Sequence, residues 1–174
     1  MQETALKADE ESVEDHVQQY LTFMLGGKVY GLKIINIKEI IEYGEIIEVP
    51  MTPDFISGVI NLRGSVVPVI DLSQRFSGQS TEHTKRTSII ILEVRNDDLS
   101  IEVGVTVDMV NEVLDIRPDE IEPAPSLGDQ IQISFISGMA KINNTLLILL
   151  DIENVLSIDE LSMVGSIQSK TEKS

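Results

Sequence analysis

The residues best suited to chemistry in this chain are few and widely separated. The two histidines, His16 and His83, lie in polar stretches, and the sequence contains no cysteine. A surface histidine without a structured partner is more often solvated than catalytic. Asp71 and Asp151 could act as a hydrolytic carboxylate pair, but such a site needs further converging polar groups. We expect each of them instead to cap the short turn or helix that follows it.

Metal and cofactor sites are not predicted either. Asp97 and Asp98 fall in a turn, and a calcium site would need more converging oxygen atoms. The sequence has no nucleotide-binding glycine loop, zinc-protease motif or nucleophile elbow. We therefore predict a protein that is not an enzyme, with no cofactor and no metal. A small carboxylate-based hydrolase is the least favoured alternative.

The acidic balance of the chain argues against one large class of partners. The formal net charge is −16, which repels nucleic acid and anionic lipid surfaces. No apolar run reaches the roughly 20 residues that span a bilayer, and the acidic N-terminal stretch has no apolar signal segment. We expect a cytoplasmic protein that binds no nucleic acid and does not insert into the membrane.

Short strands separated by turn residues are predicted along most of the chain. Hydrophobic residues make up 42% of the sequence and aromatic residues only 4%, so the core is aliphatic, and its β-branched residues favour strands. Arg63-Gly64 is typical of a hairpin turn. Residues 34–41 fit a helical face as well as a strand, and residues 45–50 are predicted to form a strand.

An internal repeat is the most informative pattern in the sequence. Residues 55–72 align without gaps on residues 135–152, with identical Phe, Ile, Ser, Gly and late Asp. Upstream segments also align and place Ile40 on Val113. Two copies of a roughly five-stranded unit follow, with a boundary near residues 77–87, and short strands at this spacing favour small barrels. Each copy is too small to be stable alone, so the two should share a hydrophobic core.

Exposed residues that the fold does not need are the candidates for binding partners. Arg63 occupies a turn position where the second copy has Asn143, so the turn does not require a long cation. Arginine is enriched at binding hot spots and glutamate is depleted, which makes Arg63 a better candidate than Glu39. From the pattern alone, an ordinary exposed position is the simpler interpretation of both.

The most specific signal is a resemblance to the CheW-like chemotaxis coupling family. It rests on residues 55–64 and 66–72, whose Asn-Leu-Arg-Gly and Val-Pro-Val-Ile-Asp blocks look like the family signature. Further segments resemble the family in order: residues 30–32, 37–40, 108–114, 123–125 and 136–151. The resemblance covers about residues 17–164, nearly the whole chain.

This resemblance implies an all-β fold of two SH3-like five-stranded β-barrel subdomains that share a hydrophobic core, with short helices including one near the C-terminus. The CheW-like domain would span residues 17–164, between disordered tails at residues 1–16 and 165–174. It also implies a non-catalytic adaptor that couples the cytoplasmic tips of chemoreceptors to the regulatory domain of the histidine kinase CheA and helps control its activity. We expect the adaptor to be monomeric on its own.

The resemblance also implies a protein-binding site. Four positions of this sequence match family positions at or near partner-contacting surfaces: Ile37, Glu39, Arg63 and Val113. Gly58 and Asn61 are assigned to hairpin geometry instead. The receptor's helical hairpin is expected in a groove between the barrels, at the inner face of the membrane. An adaptor of a non-chemotaxis kinase pathway, such as surface motility, is the alternative within the same class.

Overall fold

The computed structural model describes residues 17–50, 52, 54–79, 81–96, 99–123 and 136–152. The expected tails at residues 1–16 and 165–174, and the expected helix near the C-terminus, lie outside the described residues. Within the described part of the chain, no helix is long and apolar enough to cross a membrane.

Strands dominate the described residues, joined by tight turns, one short α-helix and two 3-10 helices. In chain order the strands are β1 Gln18–Leu25, β2 Lys28–Lys33, β3 Ile37–Glu42, β4 Ile56–Leu62, β5 Ser65–Asp71, β6 Ser88–Asn96, β7 Leu99–Val107, β8 Met109–Ile116, β9 Ile121–Glu122, β10 Ile136–Ile142 and β11 Thr145–Leu150. Helix α1 is Leu72–Ser77, and the 3-10 helices are Ile34–Asn36 and Pro118–Glu120.

Tight turns set the register of the hairpins. Arg63 and Gly64, between β4 and β5, have φ values of 53° and 88°. Asn143 and Asn144, at the repeat-equivalent position between β10 and β11, have φ values of 51° and 65°. Two consecutive residues with positive φ match the twist of flanking antiparallel strands. The predicted turn at Arg63-Gly64 is therefore confirmed.

The strands form two sheets, and each sheet takes strands from both halves of the chain. The five-stranded sheet has the order β3-β6-β7-β5-β4, and the six-stranded sheet has the order β8-β1-β2-β11-β10-β9. We call residues 17–79 the first half, with β1–β5, and residues 81–152 the second half, with β6–β11. The predicted all-β fold is confirmed; one sheet has a sixth strand, the two-residue β9. The subdomain boundary near residues 77–87 stays a prediction.

The hydrophobic core is shared between the two sheets. Its central cluster contains Phe23 and Leu32 from the six-stranded sheet together with Ile90 and Leu92 from the five-stranded sheet. All four side chains are fully buried. A second cluster lies within the six-stranded sheet: Tyr20, Ile116, Ala140, Leu147 and Leu149. A third lies within the five-stranded sheet: Ile60, Val67, Val69, Ile89 and Ile91.

Residues 43–50, which we call the strap, lead from β3 toward β4 and pair with β4 at one position. Ile47 and Val59 form an isolated antiparallel bridge through two backbone hydrogen bonds of 2.8 Å. Gly58 makes this approach possible, because a Cβ atom there would collide with the carbonyl oxygen of Ile47, and its φ is +151°. At Gly138, the repeat equivalent, a Cβ atom would collide with the side chain of Ile121 instead.

Two local interpretations of the sequence needed the structure to resolve them. Residues 34–41 combine both alternatives, since a 3-10 helix over Ile34–Asn36 runs directly into β3. The predicted strand at residues 45–50 is wrong, because only Ile47 pairs there, in the bridge to Val59. The apolar pattern of the strap instead places Ile46 on the third cluster.

Candidate partner-binding surface

A two-point ion pair joins Glu39 and Arg63. The Nη1 and Nη2 atoms of Arg63 donate to the two carboxylate oxygens of Glu39 at 2.7 and 3.0 Å. Such forked contacts fix the orientation of both groups better than a single hydrogen bond does. The hydrogen bonds and charge of Glu39 raise the pKa of Arg63, so this guanidinium remains charged in its exposed setting.

The fold positions the two members of this pair from different strands. Glu39 lies on β3, and Arg63 lies in the turn that follows β4; β3 and β4 are the two edges of the five-stranded sheet. Asn61 stabilises the turn, since its side-chain oxygen accepts a hydrogen bond of 2.9 Å from the backbone N–H of Gly64. The assignment of Asn61 to hairpin geometry is thus confirmed, whereas Gly58 lies within β4 and makes room for the strap.

Arg63 is the outward member of the pair. The side chain of Arg63 is 75% exposed, whereas that of Glu39 is 26% exposed. Glu39 is paired across the sheet with Ile91, which belongs to the third hydrophobic cluster. The carboxylate therefore lies close to apolar surface, and the guanidinium covers it while still facing solvent.

The other two predicted residues lie apart from the ion pair. Ile37, at the start of β3, is half-buried and packs against the central cluster. Val113 lies on β8, the edge of the six-stranded sheet, opposite Leu21, and is 46% exposed. The structure thus brings Glu39 and Arg63 into contact, keeps Ile37 on the same strand, and places Val113 on the other sheet.

Sequence reasoning missed an exposed apolar residue in this region. Ile40 is 43% exposed on β3, and it pairs with Ile90 of β6. In the six-stranded sheet, Val113 of edge strand β8 likewise pairs with a buried residue of the neighbouring strand, Leu21 of β1. The repeat alignment that places Ile40 on Val113 carried this signal. Lys38, beside it, forms an ion pair of 3.3 Å with Glu102.

The carboxylate of Asp71 has a structural role. It caps α1 by accepting hydrogen bonds from the backbone N–H groups of Ser73 and Gln74. It also accepts from the backbone N–H of Thr81 at 2.8 Å and from the Thr81 hydroxyl at 2.6 Å. The predicted capping role of Asp71 is confirmed, whereas the segment that Asp151 would cap lies outside the described residues. A carboxylate with four donors is poorly suited to attack a substrate.

Asp71 also lines an open cleft of about 440 Å³ beside the strap, together with Tyr43 and His83. The rings of Tyr43 and His83 stack with their centroids 4.0 Å apart. Burial, and to a lesser extent the charge of Asp71, raises the pKa of Tyr43. Among the described residues, no group of three potential metal ligands is clustered. Nothing in this geometry favours the hydrolase alternative.

Comparison with known proteins decides the family. Residues 19–160 match the sequence profile of the CheW-like domain. The chain belongs to the CheW-like family. It is similar to the chemotaxis protein CheW of Klebsiella aerogenes, with 36% identity over 150 residues that cover 86% of this chain and 88% of the relative. The chemotaxis protein CheW of Bacillus subtilis is 37% identical over 139 residues, covering 80% and 86%.

A solved CheW structure supports the same assignment. The crystal structure of the scaffolding protein TtCheW from Thermoanaerobacter tengcongensis superposes with a TM-score of 0.74 and 34% identity, covering 83% of this chain and 90% of that chain. The fold predicted from the resemblance is therefore confirmed as CheW-like. Membership of this family also confirms the prediction of a chemotaxis coupling adaptor.

Proposed function

We propose that this CheW-like adaptor joins the regulatory domain of a CheA-type histidine kinase to the cytoplasmic tips of chemoreceptors. It would do so without catalysis of its own, in the cytoplasm at the inner face of the membrane, and as a monomer before assembly. Ile37, Glu39, Arg63 and Val113 would contribute to the contact surfaces.

The observation that carries this proposal is the forked Glu39–Arg63 pair on exposed sheet edges. A long charged side chain in a left-handed turn adds little to the fold, since asparagine occupies the equivalent turn position, Asn143. Its guanidinium is held in one orientation and is 75% exposed. A preorganised arginine loses less conformational freedom on binding than a free one, which favours a role in recognition.

Two exposed apolar residues elsewhere on the sheet edges also support a protein partner. Ile40 and Val113 add exposed apolar area on the edge strands of the two sheets. Arginine is enriched at protein interfaces and among their hot spots. The net charge of −16 opposes nucleic acid or anionic lipid as an alternative partner.

The test is a titration of the purified chain with the kinase regulatory domain, followed by a receptor-tip fragment. Arg63→Ala should weaken binding to at least one partner by about tenfold, the loss expected for a hot-spot side chain. Arg117→Ala is the matched control, because Arg117 is also exposed and paired, at 3.5 Å with Asp119. Binding of neither partner by the parent chain would overturn the proposal and point to another kinase pathway. Equal affinities of parent and Arg63→Ala would overturn the site alone.

A further inference from the structure

The two halves of the chain are interlocked rather than placed side by side. The first half supplies β1 and β2 to the six-stranded sheet, and the second half supplies β6 and β7 to the five-stranded sheet. Four strand pairs connect the halves: β1 with β8, β2 with β11, β3 with β6 and β5 with β7. Each sheet is therefore incomplete unless both halves are present.

The exchange between halves is nearly symmetric. In the five-stranded sheet, Val69 of β5 pairs in parallel with Gly104 of β7. In the six-stranded sheet, the repeat-equivalent Leu149 of β11 pairs in parallel with Gly31 of β2. The first hairpin of the first half, β1–β2, joins the six-stranded sheet, which contains the last hairpin of the second half, β10–β11. Likewise, the first hairpin of the second half, β6–β7, joins the five-stranded sheet, which contains β4–β5. Such an arrangement has the geometry of an exchanged dimer within one chain.

A hydrogen-bonded clasp holds the crossing between the halves. Asp71 ends β5 in the first half, and its carboxylate binds both the backbone N–H and the hydroxyl of Thr81 in the second half. Both residues are 6% exposed. We call these two hydrogen bonds the Asp71–Thr81 clasp. It turns the chain back toward β6 immediately after α1, so the second half folds onto its own first half.

We propose that the chain can exchange whole halves with a second copy of itself, and that the Asp71–Thr81 clasp holds it in the closed monomer. The strand pairs between the halves are the same whether they come from one chain or two. Exchange changes mainly the path of the segment between β5 and β6, which the clasp folds back in the monomer. Glu39 and Arg63 both belong to the first half, so each unit of the exchanged dimer keeps its ion pair. If the coupling role holds, the dimer is an adaptor with two tethered copies of each binding surface.

Engineered disulfides distinguish exchange from ordinary association, because the chain has no native cysteine. Gln19 and Asp115 are exposed, directly paired across β1 and β8, and belong to different halves. Opposite residues of an antiparallel pair lie within the span of a disulfide. In the closed monomer, Gln19→Cys with Asp115→Cys cross-links one chain; in an exchanged dimer it cross-links two. Lys141→Cys with Leu146→Cys, an exposed pair within the second half, is the control.

The clasp is weakened with Thr81→Ala, which removes the hydroxyl hydrogen bond to Asp71 and keeps the backbone one. Thr84→Ala serves as the matched control. Thr84 lies in the same segment between α1 and β6 and is exposed. Its hydroxyl accepts a hydrogen bond from the backbone N–H of Arg86 rather than bonding to Asp71. Each variant is refolded from urea at high protein concentration and analysed by size-exclusion chromatography and non-reducing gel electrophoresis. Loss of a hydrogen bond to a charged group changes an equilibrium by about tenfold or more, so the dimer fraction should rise by at least that factor.

The expected result is a dimer of Thr81→Ala that becomes covalent with the Gln19/Asp115 cysteines but not with the Lys141/Leu146 cysteines. Thr84→Ala should remain monomeric, and Thr81→Ser should restore the monomer. A Thr81→Ala protein that stays monomeric, or a dimer with disulfides only within chains, overturns the proposal. Should Thr81→Ala not fold, the cysteine pair in the parent sequence decides: a minor covalent dimer after concentrated refolding supports exchange, and its absence overturns it. None of these outcomes depends on kinase or receptor binding.

Discussion

Glu39 and Arg63 lie on opposite edges of one five-stranded sheet, and two hydrogen bonds of 2.7 and 3.0 Å join them. β3 carries the carboxylate, and the turn after β4 carries the guanidinium. The pair therefore links strands that are the first and last of the sheet order. The position of the Arg63 guanidinium therefore depends on both edges of the sheet, and a partner that binds it depends on both edges as well.

The first prediction is that this pair acts as a unit in partner binding. Glu39→Ala should free the guanidinium to move, so it should lower affinity for the same partner that Arg63→Ala affects. Since each substitution breaks the same ion pair, the double variant should bind no more weakly than Arg63→Ala alone. Titration calorimetry of the two single variants and the double variant measures this coupling. Fully additive losses of binding free energy would show that the two side chains act independently.

Replacement of Arg63 by asparagine should separate binding from stability. The φ of 53° at this position is one that asparagine adopts more readily than most residues. Arg63→Asn should therefore melt a few degrees above Arg63→Ala and yet bind the partner as weakly as Arg63→Ala. Thermal denaturation followed by circular dichroism compares the two variants. An Arg63→Asn protein that melts below Arg63→Ala would contradict the backbone explanation.

Gly58→Ala should be strongly destabilising. A methyl group at this position would collide with the carbonyl oxygen of Ile47, and the φ of +151° disfavours any side chain. The strap would have to move off β4, which should lower the free energy of unfolding by about 3 kcal/mol. Urea unfolding measures the change. Gly44→Ala on the same strap is the control, since a Cβ there meets nothing within 4 Å; equal stability of the two variants would disprove the steric account.

The exposed side chain of Val113 should contribute to binding but not to folding. It is 46% exposed on an edge strand, so Val113→Ser should leave the melting temperature nearly unchanged and weaken affinity for one partner. Leu146→Ser is the matched control, because Leu146 is 54% exposed on β11 of the same sheet and is no predicted contact. An equal effect of both substitutions on affinity would remove Val113 from the site.

Stability should fall at alkaline pH because of the tyrosines. Burial raises the pKa of Tyr20, Tyr30 and Tyr43 above the ordinary value of 10.0. Well below that value both the folded and unfolded states hold these protons, so pH has no effect through them. As pH rises past 10.0, the unfolded state loses its protons first, and unfolding becomes more favourable until the folded tyrosines also ionise. Tyrosinate absorbance in native and urea-unfolded protein checks this; identical titration curves would refute it.

Much of the fold was predictable because local and long-range signals agreed. The hairpin turn at Arg63-Gly64 needed only its turn chemistry, and the shared core followed from the repeat and from the small size of each copy. The strap was mispredicted because residues 45–50 have an apolar strand pattern, while only Ile47 finds a backbone partner. Strand order could not be read locally, because the parallel partner of Val69 lies beyond a crossing segment, at Gly104.

The candidate site was only partly predictable for a related reason. Arg63 and Glu39 were each identified by residue type and family resemblance, but neither pattern indicated that they touch. Their contact depends on how the two edge strands approach one another, which is a tertiary property. Ile40 was missed because an apolar residue in a strand is normally assigned to the core, and only its position on an edge strand leaves it 43% exposed.

The strand exchange between the halves also governs how the protein can fold during synthesis. Thr22 of β1 is hydrogen-bonded to Glu112 of β8, 90 residues later in the chain. When the first half leaves the ribosome, β1 and β2 have no β8 or β11 to pair with, and Phe23 and Leu32 have no complete core to enter. The five-stranded sheet cannot close until β7 has been translated, and the six-stranded sheet cannot close until β11 has been translated, so the core that the two sheets share forms late in synthesis. The nascent first half is thus a state that exposes apolar surface which the finished protein buries.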